Sequence, residues 1–243
     1  MNRRQRLDKV LANSGYGTRK EVKKLVKLGT IKVNNETARD SGMHVNPYND
    51  VIEIDGDVLN YRKHVYIMMN KPDGVISATY DNNLKTVTEI LPEKYRAFGL
   101  FPVGRLDIDT EGLILLTNDG QLAHKILSPR NHIAKKYYAL IEGCVTSEDV
   151  KKFRDGVLLD DGYKTMPAEL GILQSGQYSE IILIIYEGKF HQVKRMFQAV
   201  GKKVRYLKRV QMGGLKLDEN LKTGEWRELA NDEVKLLCQG IVT

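Results

Sequence analysis

At 243 residues, with a hydrophobic fraction of 42%, the chain can bury one large core or two modest ones. No apolar run approaches the roughly 20 residues of a membrane-spanning helix, and the charged start Met1-Asn2-Arg3-Arg4-Gln5-Arg6 reads against a secretory leader. Cys144 and Cys238 stand far apart with no CxxC pair, so neither a disulfide framework nor a zinc site is indicated; a reducing cytoplasm is the expected setting.

The first 60 residues read as a small unit of their own. Two helices are expected at 7–14 and 18–28, the second with Val22, Leu25, Val26 and Leu28 on an apolar face and lysines opposite. Thr18 and Glu21 have capping-box spacing, and Gly29 stops the helix. Residues 30–34 and 51–56 alternate apolar and polar, as half-buried strands do.

Residues 57–64 read as a link to a second domain spanning 61–243. That domain opens with Tyr66-Ile67-Met68-Met69-Asn70-Lys71 and a Pro72-Asp73-Gly74 turn. Further strands are expected at 112–117, 137–142, 168–173, 180–186 and 204–210. Helices are expected at 120–127, 147–155, 190–200 and 231–238, with Thr146 paired to Asp149, and Asn231, as caps. Strands outnumber helices without βαβ alternation, which predicts an α+β architecture with a mixed, mainly antiparallel sheet.

The charge is distributed as two blocks. Residues 1–32 hold ten Lys or Arg against Asp8 and Glu21, and residues 188–216 hold nine with no acid. Separated basic blocks suit a polyanion, since each neutralised phosphate releases counterions. Nucleic acid is the expected partner, with binding that falls steeply as salt rises.

The densest chemistry lies in Gly104-Arg105-Leu106-Asp107-Ile108-Asp109-Thr110-Glu111-Gly112, which runs into an apolar segment closed by Asn118-Asp119-Gly120. An acid at the mouth of a buried strand can be held rigidly and partly desolvated. Asp107, Asp109 and Glu111 imitate a calcium loop, but its twelfth position is Asn118, not a bidentate Glu, and a strand-like run follows.

The stretch resembles the GRLDxxTxGLLLLTNDG motif of pseudouridine synthases of the RsuA type. Asn70-Lys71-Pro72-x-Gly74, Lys135-x-Tyr137, Glu187-Gly188-Lys189-Phe190-His191-Gln192-Val193-Lys194-Arg195 and Gly224-Glu225-Trp226-Arg227-Glu228-Leu229 match other motifs of that family. The N-terminal unit resembles an S4 RNA-binding domain through Arg6–Leu11, Gly15, Thr18-Arg19, Leu25-Val26, Gly29, Ile31, Val33-Asn34 and Asp55-Gly56.

The resemblance implies an enzyme that isomerises a uridine of ribosomal RNA. Asp107 would be the catalytic aspartate, Tyr137 the stacking aromatic, and Lys194, or alternatively Arg195, the cation beside the acid. Arg105, His191, Gln192 and Arg195 would contact RNA, as would Arg19, Lys20, Lys23, Lys24 and Lys27 on the basic helix. His191-Gln192-Val193-Lys194-Arg195-Met196-Phe197 and Met212-Gly213-Gly214 look closest to the branch acting on small-subunit RNA; the large-subunit branch is the alternative. No Walker loop, GxGxxG or metal-ligand cluster appears, and an isomerisation needs no separate cofactor. A monomer working on ribosomal RNA, naked or in an assembly particle, is expected, with no membrane partner. A non-catalytic S4-type ribosome-assembly factor is the competing reading.

Overall fold

The computed structural model describes residues 4–96 and 98–239. These described residues fall into two compact units, one drawn from those within 1–65 and 91–100, the other from those within 66–90 and 101–243.

The first unit comprises β1 (Gln5–Arg6), α1 (Leu7–Asn13), α2 (Arg19–Leu28), β2 (Ile31–Val33), β3 (Glu36–Thr37), β4 (His44–Val45), β5 (Ile52–Ile54), β6 (Asp57–Val58) and α3 (Glu93–Arg96). The Thr18–Glu21 capping box forms: the Thr18 amide donates to Glu21 Oε2 at 2.7 Å and the Glu21 amide to Thr18 Oγ1 at 3.3 Å. Gly29 ends α2 in the left-handed region at φ 74°. Leu7, Val10, Leu11, Val22, Val26 and Ile31 are buried against Ile52 and Ile54, which ties the helices to the sheet β3-β2-β5-β6. Two expectations are corrected here. Leu28 is 74% exposed, because about 100° of turn per residue carries it off the Val22–Val26 stripe. The expected link at 57–64 starts as strand β6, and Leu59 and Tyr61 pack on the same core.

In the second unit β7 (Tyr66–Lys71), β8 (Phe101–Pro102), β9 (Glu111–Thr117), β10 (Lys135–Glu142), β11 (Glu169–Gln174), β12 (Tyr178–Ile185), β13 (Lys203–Met212), β14 (Leu215–Lys216) and β15 (Trp226–Glu228) build one nine-stranded sheet. Its order is β11-β12-β10-β13-β9-β7-β15, with β14 on β13 and β8 on β9. Only β9 and β13 run parallel; the other pairs are antiparallel. The architecture is the expected α+β one, and β9, β10, β11, β12 and β13 fall on the expected segments.

The helices are α4 (Gly120–Leu127), α5 (Ser147–Asp155), α6 (Gln192–Ala199) and α7 (Asn231–Leu236). Thr146 and Asp149 form a capping box. Asn231 is not a cap but the first helical residue; Ala230 holds the cap position, and Glu233 accepts its amide at 2.9 Å. Alternation along β10 sets the two faces of the sheet: Lys135, Tyr137, Ala139 and Ile141 are buried, while Lys136, Tyr138 and Leu140 are half-buried opposite. No helix among the described residues is long and apolar enough to cross a membrane.

Candidate active site

The acidic turn sits where β9 begins, and the backbone there demands glycine. Gly112 has φ 100°, and a Cβ on it would lie 2.3 Å from the Arg209 carbonyl, so β9 meets β13 only because this residue lacks a side chain. The turn ahead of it is tied from beneath. Lys71, fully buried at the end of β7, donates from Nζ to the carbonyls of Pro72 (2.9 Å), Ile108 (3.1 Å) and Thr110 (2.9 Å). Ser77 adds two bonds to Leu106, and the Gly74 amide donates to Ile108. Burial pulls the Lys71 ammonium down to about 8, against the opposing charges of Asp73, Asp109, Glu111 and Asp107.

On this support Asp107 is half-buried and lines a cleft with Thr110, Tyr137, Leu207 and Gln192. Lys194, from the first turn of α6, places Nζ 3.3 Å from Asp107 Oδ2 and 2.5 Å from Asp109 Oδ1. Of the two cations expected beside the acid, Lys194 is the one that reaches it. Burial raises the Asp109 carboxyl, but the hydrogen bond and charge of Lys194 outweigh it and hold the group below the ordinary carboxylate range. His191, at φ 49° before α6, has Nε2 3.7 Å from Asp107 Oδ1 and its ring stacked on exposed Phe190 at 3.8 Å.

Other expected contacts are placed differently. Arg195 is committed to Asp160 and to Asp161, the latter at 2.7 Å, so its guanidinium braces the 160–161 turn. Gln192 is 4% exposed; its Nε2 donates to Glu187 at 3.0 Å and its Oε1 accepts the Lys189 amide at 2.9 Å. It borders the cleft, yet its amide shapes the turn and is not offered to solvent. Arg105 is exposed beside the cleft. In the first unit Arg19, Lys20, Lys23, Lys24 and Lys27 are all exposed along α2 and form no ion pair among the described residues.

Sequence reasoning quoted the Asn-Lys-Pro motif but gave Lys71 no role, although a lysine closing an otherwise apolar strand was the available signal. Asp109, read only as part of a calcium-like spacing, is the second acid on Lys194.

Behind Tyr137, itself 7% exposed, lie Lys135 and Arg209, 8% and 2% exposed. Lys135 Nζ donates to the Ile133 carbonyl, and Arg209 Nε to that of Leu113. Burial, then the Arg209 charge, pulls Lys135 from its ordinary 10.5 down to about 8, with Glu187 opposing. Between those pH values the unfolded chain binds more protons than the native one, so stability rises with pH. From pH 8 to 10 the wild-type protein is therefore expected to gain stability relative to Lys135→Met, read by urea unfolding. A constant difference would contradict this.

A carboxylate steadied by a lysine at the mouth of a cleft with an aromatic wall can attack or deprotonate a sugar carbon while a flat ring packs beside it. The comparisons agree in kind. Residues 65–199 match the family model described as RNA pseudouridylate synthase, and residues 5–52 match the S4 domain. The chain is 48% identical over 233 residues to an "Uncharacterized RNA pseudouridine synthase" of Bacillus subtilis (strain 168), covering 96% of this chain and 98% of that one. It is 40% identical to "Ribosomal large subunit pseudouridine synthase B" of the same organism, covering 96% and 95%. It is 36% identical to "Ribosomal small subunit pseudouridine synthase A" of Vibrio vulnificus (strain CMCP6), covering 94% and 97%. A crystal structure of a pseudouridylate synthase, 35% identical, superposes with a TM-score of 0.68 over 96% of this chain and 99% of that one. The chain thus belongs to the RNA pseudouridylate synthase family, as an RNA pseudouridine synthase of the RsuA type that carries an S4 domain.

Proposed function

We propose that the chain isomerises one uridine of small-subunit ribosomal RNA in the cytoplasm, with Asp107 as the essential carboxylate. The observation that carries this reading is the seating of Lys194 at 3.3 Å from Asp107, whose carboxylate lines a cleft together with Tyr137. The target uridine leaves its stack, at a cost of a few kcal/mol. Tyr137 packs on the extruded ring, an interaction worth about 1–3 kcal/mol per base. Asp107 then either attacks C1′ or takes the proton at C2′. Along both routes the N1–C1′ bond breaks, a C5–C1′ bond forms, the proton on C5 is lost and N1 gains one. Lys194 keeps the carboxylate oriented, and His191 and Arg105 meet the flanking backbone. The basic face of α2 supplies phosphate contacts that hold the folded RNA.

The choice of the small subunit rests on the His191–Phe197 and Met212–Gly214 segments. The 40% identity to a relative named for the large subunit favours the second reading, the same chemistry on large-subunit RNA. Because C5 loses its hydrogen, the experiment is tritium release from [5-3H]uridine-labelled small- and large-subunit RNA, each naked and in assembly particles. Release of one equivalent from small-subunit RNA is expected. Release from large-subunit RNA alone would overturn the substrate, and release from neither would overturn ribosomal RNA as substrate.

A further inference from the structure

The sheet face opposite Tyr137 holds a second polar cavity, built in part from the basic block at 188–216. Of the nine cations in that block, Lys194, Arg195, Lys202 and Arg205 pair with carboxylates of the same chain, and Arg209 is buried. Lys208 and Lys216 are placed otherwise. With Lys136 they border a cavity of about 450 Å³ whose walls include Tyr138, Asn70 and Leu221.

Strand register explains the convergence. Lys136 lies opposite Gln211, Gln211 opposite Lys216, and Tyr138 opposite Lys208. Directly opposed residues share a face, and clustered like charges there repel. None of the three lysines forms an ion pair among the described residues. Asp218 and Glu219 also border the cavity, but Asp218 is held by Arg227 at 2.6 Å.

Asn70 adds an independent sign. It is 2% exposed, and its Nδ2 donates to the Leu221 carbonyl at 2.9 Å, yet its Oδ1 is buried with no partner among the described residues. Tyr138 has its hydroxyl fixed on Glu180 at 2.9 Å, which leaves its ring as the aromatic part of the wall.

We propose that this cavity holds one unpaired nucleotide of the RNA chain. Its phosphate would sit on Lys136, Lys208 and Lys216, its ring against Tyr138, and a base N–H would donate to Asn70 Oδ1. A phosphate alone would leave the Asn70 acceptor and the aromatic wall unused, and an acidic peptide would bring carboxylates to an acceptor that needs a donor. The cavity falls within the roughly 300–1,000 Å³ of small-molecule sites. The inference rests on RNA being the substrate, and it gives the enzyme a grip on its RNA remote from the reacting base.

The experiment is photo-crosslinking of the full-length protein to 4-thiouridine-substituted ribosomal RNA, with crosslinked residues mapped by mass spectrometry. Crosslinks at Tyr138 and within 208–221 are expected in addition to those in the cleft. They should disappear in Lys136→Gln/Lys208→Gln/Lys216→Gln, while cleft crosslinks persist, KM for the RNA rises about tenfold and kcat stays within twofold. Lys136→Gln alone should show a weaker form of the same split. Because these lysines are unpaired, neither variant should lose thermal stability. Crosslinks confined to the cleft and α2, or a triple variant with unchanged KM, would overturn the proposal. UMP that shifts the amides of 216–221 without any RNA crosslink there would make this a free-nucleotide site and also overturn it. Crosslinking does not depend on turnover, so Asp107→Asn protein should give the same map even if the catalytic reading fails.

Discussion

Asp107→Asn is expected to lower kcat by at least about 10³-fold while leaving the dissociation constant for RNA within about threefold. The substitution keeps size and shape but removes the negative charge, and with it both nucleophile and base. On the base route a positioned proton transfer worth about 10²–10⁴-fold is lost; on the nucleophile route the covalent attack itself is lost. Binding should survive, because the proposed phosphate contacts rest on exposed cations of α2 such as Lys20, Lys23 and Lys24. Single-turnover tritium release paired with filter binding separates the two quantities. Asp109→Asn is the natural comparison: it shares Lys194 but is exposed, and it should cost far less. Equal losses at both positions would mean that Lys194, and not Asp107, is the group the reaction depends on.

Lys71→Met is expected to be nearly as damaging by a different route. Its ammonium satisfies the Pro72, Ile108 and Thr110 carbonyls at once, and the latter two lie within the acidic turn. Buried carbonyls left without donors cost about 1–3 kcal/mol each, partly offset because a desolvated charge is removed as well. A net destabilisation of about 2–4 kcal/mol follows. The turn also loses its anchor, and a displacement of about 1 Å at a reacting group can cost roughly 10²-fold in rate. Urea unfolding and kcat, measured on the same preparation at a temperature where the variant is fully folded, check both parts. A large stability loss with kcat within twofold of wild type would make Lys71 a core support without influence on the acid.

The elements legible in advance were those with strong local chemistry. The Thr18–Glu21 and Thr146–Asp149 boxes, the Gly29 stop and the apolar strands each carry their signal within a few residues. Short strands such as β8, β14 and β15 do not, because two or three residues show no period and are defined only by their pairing with longer strands. The same division runs through the site. Asp107 and Lys194 stood inside long motifs and Tyr137 in a short one, and the structure brings Asp107 and Lys194 together. Arg195 and Gln192 stood in the same motif, but their tasks depend on Asp160, Asp161 and Glu187, which no spacing joins to them. The second basic block shows the same division: four of its nine cations, Lys194, Arg195, Lys202 and Arg205, pair with acids distant in sequence, such as Asp149 and Glu142. The parallel contact of β9 with β13, which forces Gly112, is likewise long-range and invisible locally.

The most direct test is carbodiimide-based pseudouridine mapping of both ribosomal RNAs from cells with the protein, without it, and with Asp107→Asn in its place. One small-subunit signal missing from both altered strains is the predicted result. A signal that persists in the Asp107→Asn strain but vanishes when the protein is absent would contradict the account, because the modification would then depend on the protein without depending on its aspartate.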